Sequence, residues 1–187
     1  MMMVYKPGDM EAEILLGQAY MQMYATEDLT TLFGPANEPS LARFLALYQP
    51  PIGLLFDTDD KGIWFMAWCE RTLQAAYLAL WIRPDMRHTL SAYKNVLETF
   101  ALAVSLYPTV LSTTYRDDRM AEYVKLGYTL LCVIPHLYGL DRPGWLMRLD
   151  PEQVGKRVRR FAKWSDEDRE RIAKFWPGAF EQPPDCA

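Results

Sequence analysis

The sequence predicts an α/β fold in which strands and helices alternate along the chain. Three observations carry this. An apolar run from Ala75 to Ile82 leads directly into a helical pattern that starts at Arg87. A β-branched segment and a second, shorter helix closing on Gly127 come next, and two further apolar segments follow.

Taken in order, Met10 to Tyr24 carries Ile14, Leu15, Ala19, Met21 and Met23 in a mixed helical pattern. Ser40 to Tyr48 reads as a short helix with Ser40 as its N-cap and Phe44, Leu45 and Tyr48 on one side. Ile52 to Asp57 and Ile63 to Glu70 read as a hairpin around Asp57-Thr58-Asp59-Asp60-Lys61-Gly62, whose Asp and Gly content suits a turn. Its three acids also invite a calcium reading, but no bidentate glutamate follows at the spacing an ion loop needs.

Ala75-Ala76-Tyr77-Leu78-Ala79-Leu80-Trp81-Ile82 is a nearly unbroken apolar run ended by Arg83-Pro84-Asp85, and it reads as a strand buried on both faces. From Arg87, Leu90, Tyr93, Leu97, Phe100, Ala101 and Val104 recur at three- and four-residue steps until Pro108 stops the helix. A helix opening off a strand end presents free N–H groups and a positive dipole end. With Arg87, His88, Thr89 and Ser91 as further donors, the turn suits a pyrophosphate.

Thr109 to Thr114 reads as a strand because it is rich in β-branched residues. The short helix after it carries Met120, Tyr123, Val124 and Leu126, and Gly127 supplies the left-handed C-cap. Tyr128 to Tyr138 and Trp145 to Leu149 read as two strands joined by the turn Gly139-Leu140-Asp141-Arg142-Pro143-Gly144.

At these residues the chain resembles the GNAT superfamily of N-acetyltransferases, over roughly Glu11 to Asp150 in element order. Two short motifs carry the resemblance. The family's pyrophosphate turn, Arg or Gln, two residues, Gly, one residue, Gly or Ala, falls on Arg87-His88-Thr89-Leu90-Ser91-Ala92. Arg87 and Ala92 match, and Leu90 stands where the family has its first glycine. A side chain there opposes close approach of backbone to phosphate, so either the loop is remodelled or CoA binding is weakened or lost. Tyr123-Val124-Lys125-Leu126-Gly127-Tyr128 resembles the family's Tyr-x-Lys-Leu-Gly-Phe segment.

The resemblance implies a mixed, mostly antiparallel sheet flanked by helices, splayed where acyl-CoA enters. Residues 1–150 would form this acyltransferase domain and 151–187 a C-terminal helical extension. It further implies acetyl-CoA as co-substrate, held at Trp81, Ile82 and Arg87 to Ala92, with direct transfer to an amine-bearing acceptor, a small molecule or a protein. Tyr123 would be the acid that protonates the leaving thiolate. The place of the family's glutamate base falls near Ala76, which cannot accept a proton, leaving Glu70, Asp117, Glu122, His88 or ordered water. Leu90 and the missing glutamate keep a second reading open: a GNAT-fold interaction or structural protein with reduced catalysis. The many aromatics and the degenerate turn also resemble GNAT-like proteins of tailed phages, some of them virion-associated.

Composition sets bounds on the remaining classes. Half of the 187 residues are apolar, enough for a sizeable core without disulfides or metal. No apolar run reaches membrane-spanning length, and the Met1-Met2-Met3-Val4-Tyr5-Lys6 start lacks the features of a signal peptide. The expected location is therefore cytoplasmic, in the host cell or a virion if the chain is phage-encoded. Cys69 and Cys132 read as small core residues of strands, and Cys186 sits in a polar tail. With only His88 and His136 a metal centre is not expected; His88 reads as exposed at a helix start and His136 as structural within a strand. Trp64, Trp68 and Trp81 read as core aromatics that could also line a cleft.

Beyond Pro151, five basic residues (Lys156, Arg157, Arg159, Arg160 and Lys163) are interleaved with Val158, Phe161 and Trp164. Ser165-Asp166-Glu167-Asp168 then opens a helix. Such a segment can pack back on the domain as a solvated helix, bind nucleic acid, or dock a second copy or a partner protein; docking is the favoured expectation. A net charge of −4 argues against broad nucleic-acid affinity.

Overall fold

The computed structural model describes residues 2–26, 37–46, 53–71, 75–138, 141–161, 163–177 and 179–180. Seven strands form one sheet: β1 (Met3–Val4), β2 (Leu54–Asp59), β3 (Gly62–Arg71), β4 (Ala75–Ile82), β5 (Thr109–Thr114), β6 (Tyr128–Ile134) and β7 (Gly144–Leu149). Their spatial order is β1-β2-β3-β4-β5-β7-β6, and every pairing is antiparallel except β4 with β5. The helices are α1 (Met10–Thr26), α2 (Glu38–Leu45), α3 (Leu90–Leu106), α4 (Met120–Leu126), α5 (Pro151–Arg160) and α6 (Asp166–Phe175).

Because successive strand side chains point to opposite faces, the sheet divides the core in two. Leu54, Phe56, Met66, Trp68 and Trp81 pack with Leu16, Tyr20 and Met23 of α1 and Phe44 of α2. Leu55, Phe65, Ala67, Leu78 and Met147 pack with Leu97 and Phe100 of α3 and with Val154, Val158 and Ile172 of α5 and α6. A bulge in β3 breaks the alternation. Asp57 opposes Phe65 and Thr58 opposes Ile63, so Trp64 is unmatched and joins Phe65 in the α3 core. Beside it the buried Asp57 carboxylate accepts from Asn95 Nδ2 at 2.9 Å, pinning β2 to α3.

The three tryptophans fill the core as expected, at 8% exposure or less. Several expectations shift. The α1 core face is Ala12, Leu16, Ala19, Tyr20 and Met23, while Ile14 and Met21 are exposed, because α1 is apolar almost all round and tertiary packing chose the face. The second helix starts at Glu38 instead of Ser40; Tyr48 lies outside the described residues. Strand β4 is not buried on both faces, since Tyr77 is exposed and Ala79, Leu80 and Ile82 are half-buried. Strand β6 stops at Ile134, where Pro135 offers no amide to a ladder, and His136 sits in the following turn at φ 59°. Cys69 is buried as expected, but Cys132 is exposed, because β6 is the outer strand.

The C-terminal helices share the core of the sheet. Asp150 caps α5 through the amides of Glu152 and Gln153, and Ser165 and Asp168 form a capping box on α6. Phe161 and Trp164 are buried, with Tyr93 of α3 at 5.3 Å from the Phe161 ring. Arg157 donates to the Lys125 and Val124 carbonyls at the C-terminus of α4, where a cation also meets the negative end of the helix dipole. Gly127, at φ 109°, makes the left-handed turn that ends α4.

Candidate functional site

Strands β4 and β5 run parallel and pair only at Ala75 with Thr109, Ala76 with Val110 and Tyr77 with Leu111. Beyond that point β4 follows β3 while β5 follows β7, with Phe65 opposite Ile82 and Thr114 opposite Trp145. The two strands part, leaving Leu78–Ile82 and Ser112–Thr114 as the walls of a wedge. Among the described residues no strand pairs with this edge of β4 beyond Tyr77, an arrangement that an extended ligand can use.

The end of β4 is fixed by charge. Arg83 is nearly buried; Nη1 and Nη2 donate to the two Asp59 oxygens at 3.1 and 2.5 Å, and Nε donates to Asp85 at 2.7 Å. These hydrogen bonds hold the guanidinium above its ordinary range and both carboxyls below theirs. The clamp ties β4 to the β2–β3 turn. Two acids of the Asp57–Gly62 turn are engaged elsewhere, Asp57 with Asn95 and Asp59 with Arg83, and no group of three metal-ligating side chains exists among the described residues.

From the clamp the chain makes one 3-10 turn, Pro84–Met86, and passes through His88 in the left-handed region at φ 67° before α3 begins. The bend is a backbone conformation that few side chains adopt. Thr89 then caps α3: its Oγ1 accepts from Ala92 N at 3.1 Å and donates to the Met86 carbonyl at 2.8 Å. The cap uses the third amide of the helix. It leaves those of Leu90 and Ser91 with no intrachain acceptor among the described residues, at the positive end of a 17-residue helix.

Leu90 is 62% exposed, so its side chain projects into solvent instead of filling the turn. Arg87 Nε donates to the Ile82 carbonyl at 3.0 Å, fastening the turn to the end of β4. The sequence-derived donor site is therefore brought together around the turn, with three residues in other roles. Thr89 is a cap, Ala92 is buried with its amide spent on that cap, and the Trp81 side chain is buried against α1, with Nε1 3.4 Å from Thr26 Oγ1. Ile82 packs against the α3 core and offers its backbone, and His88 and Ser91 are exposed at the mouth.

Tyr123 lies half-buried on α4, its ring 6.0 Å from that of Tyr128. Tyr128 is bonded to Ser112 on the wedge, and burial drives its hydroxyl well above the ordinary tyrosine range. Tyr138 donates to Thr113 Oγ1 at 2.6 Å and is also pushed up by burial. Tyr123 lies close enough to both to add to each upward shift, as Tyr115 does for Tyr138, but burial is the larger cause. Tyr128, Tyr138 and their Ser112 and Thr113 partners were not singled out from sequence. The signal was the change from apolar to hydroxyl residues within Thr109–Thr114.

Of the candidate bases, Glu122 is exposed on α4, Asp117 is exposed and accepts from the Asp118 amide, and His88 stands at the turn. The Glu70 side chain lies outside the described residues.

Solved N-acetyltransferases share this architecture. An aminoglycoside 6'-N-acetyltransferase complexed with coenzyme A superimposes with a TM-score of 0.57 and 15% identity, covering 79% of this chain and 95% of that one. A spermidine N-acetyltransferase SpeG chimera from Vibrio cholerae and hSSAT gives 0.61 at 9% identity, covering 82% and 98%. The ribosomal-protein-S18-alanine N-acetyltransferase from Escherichia coli gives 0.52 at 17% identity, covering 80% and 92%. The chain has a GNAT fold. At these identities the likeness establishes the fold alone. No protein-family model matches the sequence, and no curated protein is significantly similar to it. No helix among the described residues is long and apolar enough to cross a membrane.

Proposed function

We propose that the chain is an acyl-CoA-dependent N-acyltransferase that transfers an acetyl group directly to an amine. The observation that supports this most is the pair of open amides at Leu90 and Ser91, set at the mouth of the β4–β5 wedge with the Leu90 side chain turned outward. The donor set fits a pyrophosphate: two main-chain N–H groups at a positive helix end, with Arg87 beside them. Acetyl-CoA, when bound, supplies an activated thioester. The main-chain groups of β4 from Leu78 to Trp81 would hold an extended pantetheine-like chain. Tyr123 holds a proton at its hydroxyl for a departing thiolate, and the base is one of Glu70, Asp117, Glu122, His88 or ordered water.

The alternative, a GNAT-fold binding or structural protein with reduced catalysis, such as a phage virion component, is favoured by one observation. The Thr89 cap takes the Ala92 amide, leaving two open donors where a capless turn would offer three. A screen of polyamines, aminoglycosides and N-terminal peptides with acetyl-CoA, read as thiol release, separates the two. Amine-dependent release above the hydrolysis background is expected. Acetyl-CoA binding without transfer to any acceptor would favour the alternative.

A further inference from the structure

The sheet is complete at Leu149, yet the chain continues into α5 and α6, which pack against α3. Their ring and ion contacts fall on the N-terminal half of that helix. Tyr93 sets its ring 5.3 Å from Phe161, and Phe161 meets Trp164 edge-on at 5.0 Å. Trp164 Nε1 donates to the Val158 carbonyl at 2.8 Å, so the connection between α5 and α6 closes on itself as a fixed seat for Tyr93. One residue on, Lys94 Nζ lies 2.5 Å from Asp168 Oδ2. That carboxylate is buried with both oxygens engaged, Oδ2 also by the Ser165 amide at 3.2 Å and Oδ1 by Arg171 Nη2 at 2.9 Å. From the sheet side, Asn95 is bonded to the buried Asp57. Three successive residues of α3, Tyr93, Lys94 and Asn95, are therefore gripped from two sides, one turn beyond the open amides of Leu90 and Ser91.

We propose that α5 and α6 are a positioning element of the donor site: Asp168 acting through Lys94, and Phe161 acting through Tyr93, set where the first turn of α3 aims its Leu90 and Ser91 amides. The proposal rests on the reading of those amides as the acyl-CoA phosphate site. A main-chain N–H has no rotamer with which to adjust, so its aim is the aim of the helix, and a helix end displaced by about 1 Å loses much of the interaction. A lysine near a helix N-terminus opposes the helix dipole, and the counter-charge fixed at Asp168 is what lets Lys94 serve as an anchor there. The four charges of the network, Lys94 and Arg171 against Glu98 and Asp168, cancel, so its own field at a bound phosphate is small. The network supplies position, not attraction.

For one substitution charge and position predict opposite signs. Asp168→Asn leaves the network one positive charge in excess, which by attraction alone would tighten acetyl-CoA binding, but it also releases Lys94 and with it α3. Calorimetric titration with acetyl-CoA, well below every melting midpoint, compares the wild type with Asp168→Asn, Phe161→Leu, Lys94→Arg and Leu16→Ala. The last truncates the core on the other face of the sheet and controls for lost stability alone. Asp168→Asn and Phe161→Leu are expected to raise Kd about tenfold, with kcat at saturating donor close to wild type. Lys94→Arg, which keeps the ion pair, and Leu16→Ala are expected to keep the wild-type Kd. Without ligand, hydrogen exchange in Asp168→Asn is expected to quicken at residues 93–97 more than at 100–104, and Leu16→Ala to show no such bias. An unchanged or tighter Kd in Asp168→Asn, beside a wild type that binds, would overturn the positioning role and leave the donor site standing, and so would unchanged exchange. A wild type that does not bind acetyl-CoA would instead remove the donor site, and the proposal with it.

Discussion

Replacing Tyr123 with phenylalanine is expected to lower kcat for acyl transfer by about 100-fold or more, with acetyl-CoA affinity and melting temperature close to wild type. The ring packs half-buried against Tyr128 and the short helix around it, and phenylalanine keeps that packing. Only the hydroxyl is lost. Neighbouring tyrosines cannot replace it, because the Tyr128 hydroxyl is buried and bonded to Ser112 and the Tyr138 hydroxyl is bonded to Thr113. The measurement is steady-state thiol release with an acceptor from the amine screen, beside Tyr138→Phe as a packing control. A Tyr123→Phe enzyme with wild-type kcat would remove Tyr123 from the reaction.

The second large effect is on stability and lies on the far face of α3. Arg171 of α6 donates to both oxygens of the buried Glu98 at 2.5 and 2.8 Å and to Asp168 at 2.9 Å, while Lys94 lies 2.5 Å from Asp168. Glu98 and Asp168 are 5% and 4% exposed. Removing one partner of a buried pair leaves an uncompensated charge, which typically costs 3–5 kcal/mol. Arg171 is partly exposed, so Arg171→Ala should cost about 3 kcal/mol, or roughly 6–12 °C in Tm for a chain of this size. The double variant with Glu98→Gln should recover much of that loss. Unchanged stability in the single variant would mean that α6 is not held by this pair.

The same network sets an acid limit. Burial alone would raise the Asp168 carboxyl, but Lys94, the Ser165 hydroxyl and the Ser165 amide outweigh it and bring the group down to about 2 from 3.8. A folded-state value below the unfolded one stabilises the protein above pH 3.8. That stabilisation, of order 2 kcal/mol, is lost as the pH falls from about 4 toward 2. Acid denaturation of wild type and Asp168→Asn, followed by tryptophan fluorescence, should converge over that interval and differ above it.

What the sequence made legible was local. The strand Ala75–Ile82, the helix of Leu90, Leu97, Phe100 and Ala101, and the Gly127 stop all came from periodicity and one conformational rule; the strand and the stop lie where they were expected, while the helix, expected from Arg87, begins at Leu90, because His88 takes the left-handed conformation before it. The phosphate-suited turn followed from their adjacency. The long-range links were not legible: Arg83 meets Asp59 24 residues away and Arg171 meets Glu98 73 residues away, and nothing in either neighbourhood marks a partner. Arg83 read only as the end of a strand. Cys132 was placed in the core because an apolar strand has the same pattern whether it is central or at an edge, and sheet order decides between them. Leu90 looked like an obstruction in a family turn, yet the Thr89 cap and the left-handed His88 direct its side chain outward, a combination no motif position encodes.

The most direct test of the acyl-donor site is calorimetric titration of acetyl-CoA into the wild type, Leu90→Gly and Leu90→Pro. Proline is favoured at the first position of a helix, and the extended Thr89, at φ −83° and ψ 156°, suits a following proline. Leu90→Pro therefore deletes one open amide with α3 intact, while Leu90→Gly keeps the amide and deletes the side chain. Micromolar binding by the wild type, retained in Leu90→Gly and weakened about tenfold in Leu90→Pro, is the expected result. No binding by the wild type, or equal affinity in the two variants, would contradict the assignment of the α3 N-terminus as the phosphate site.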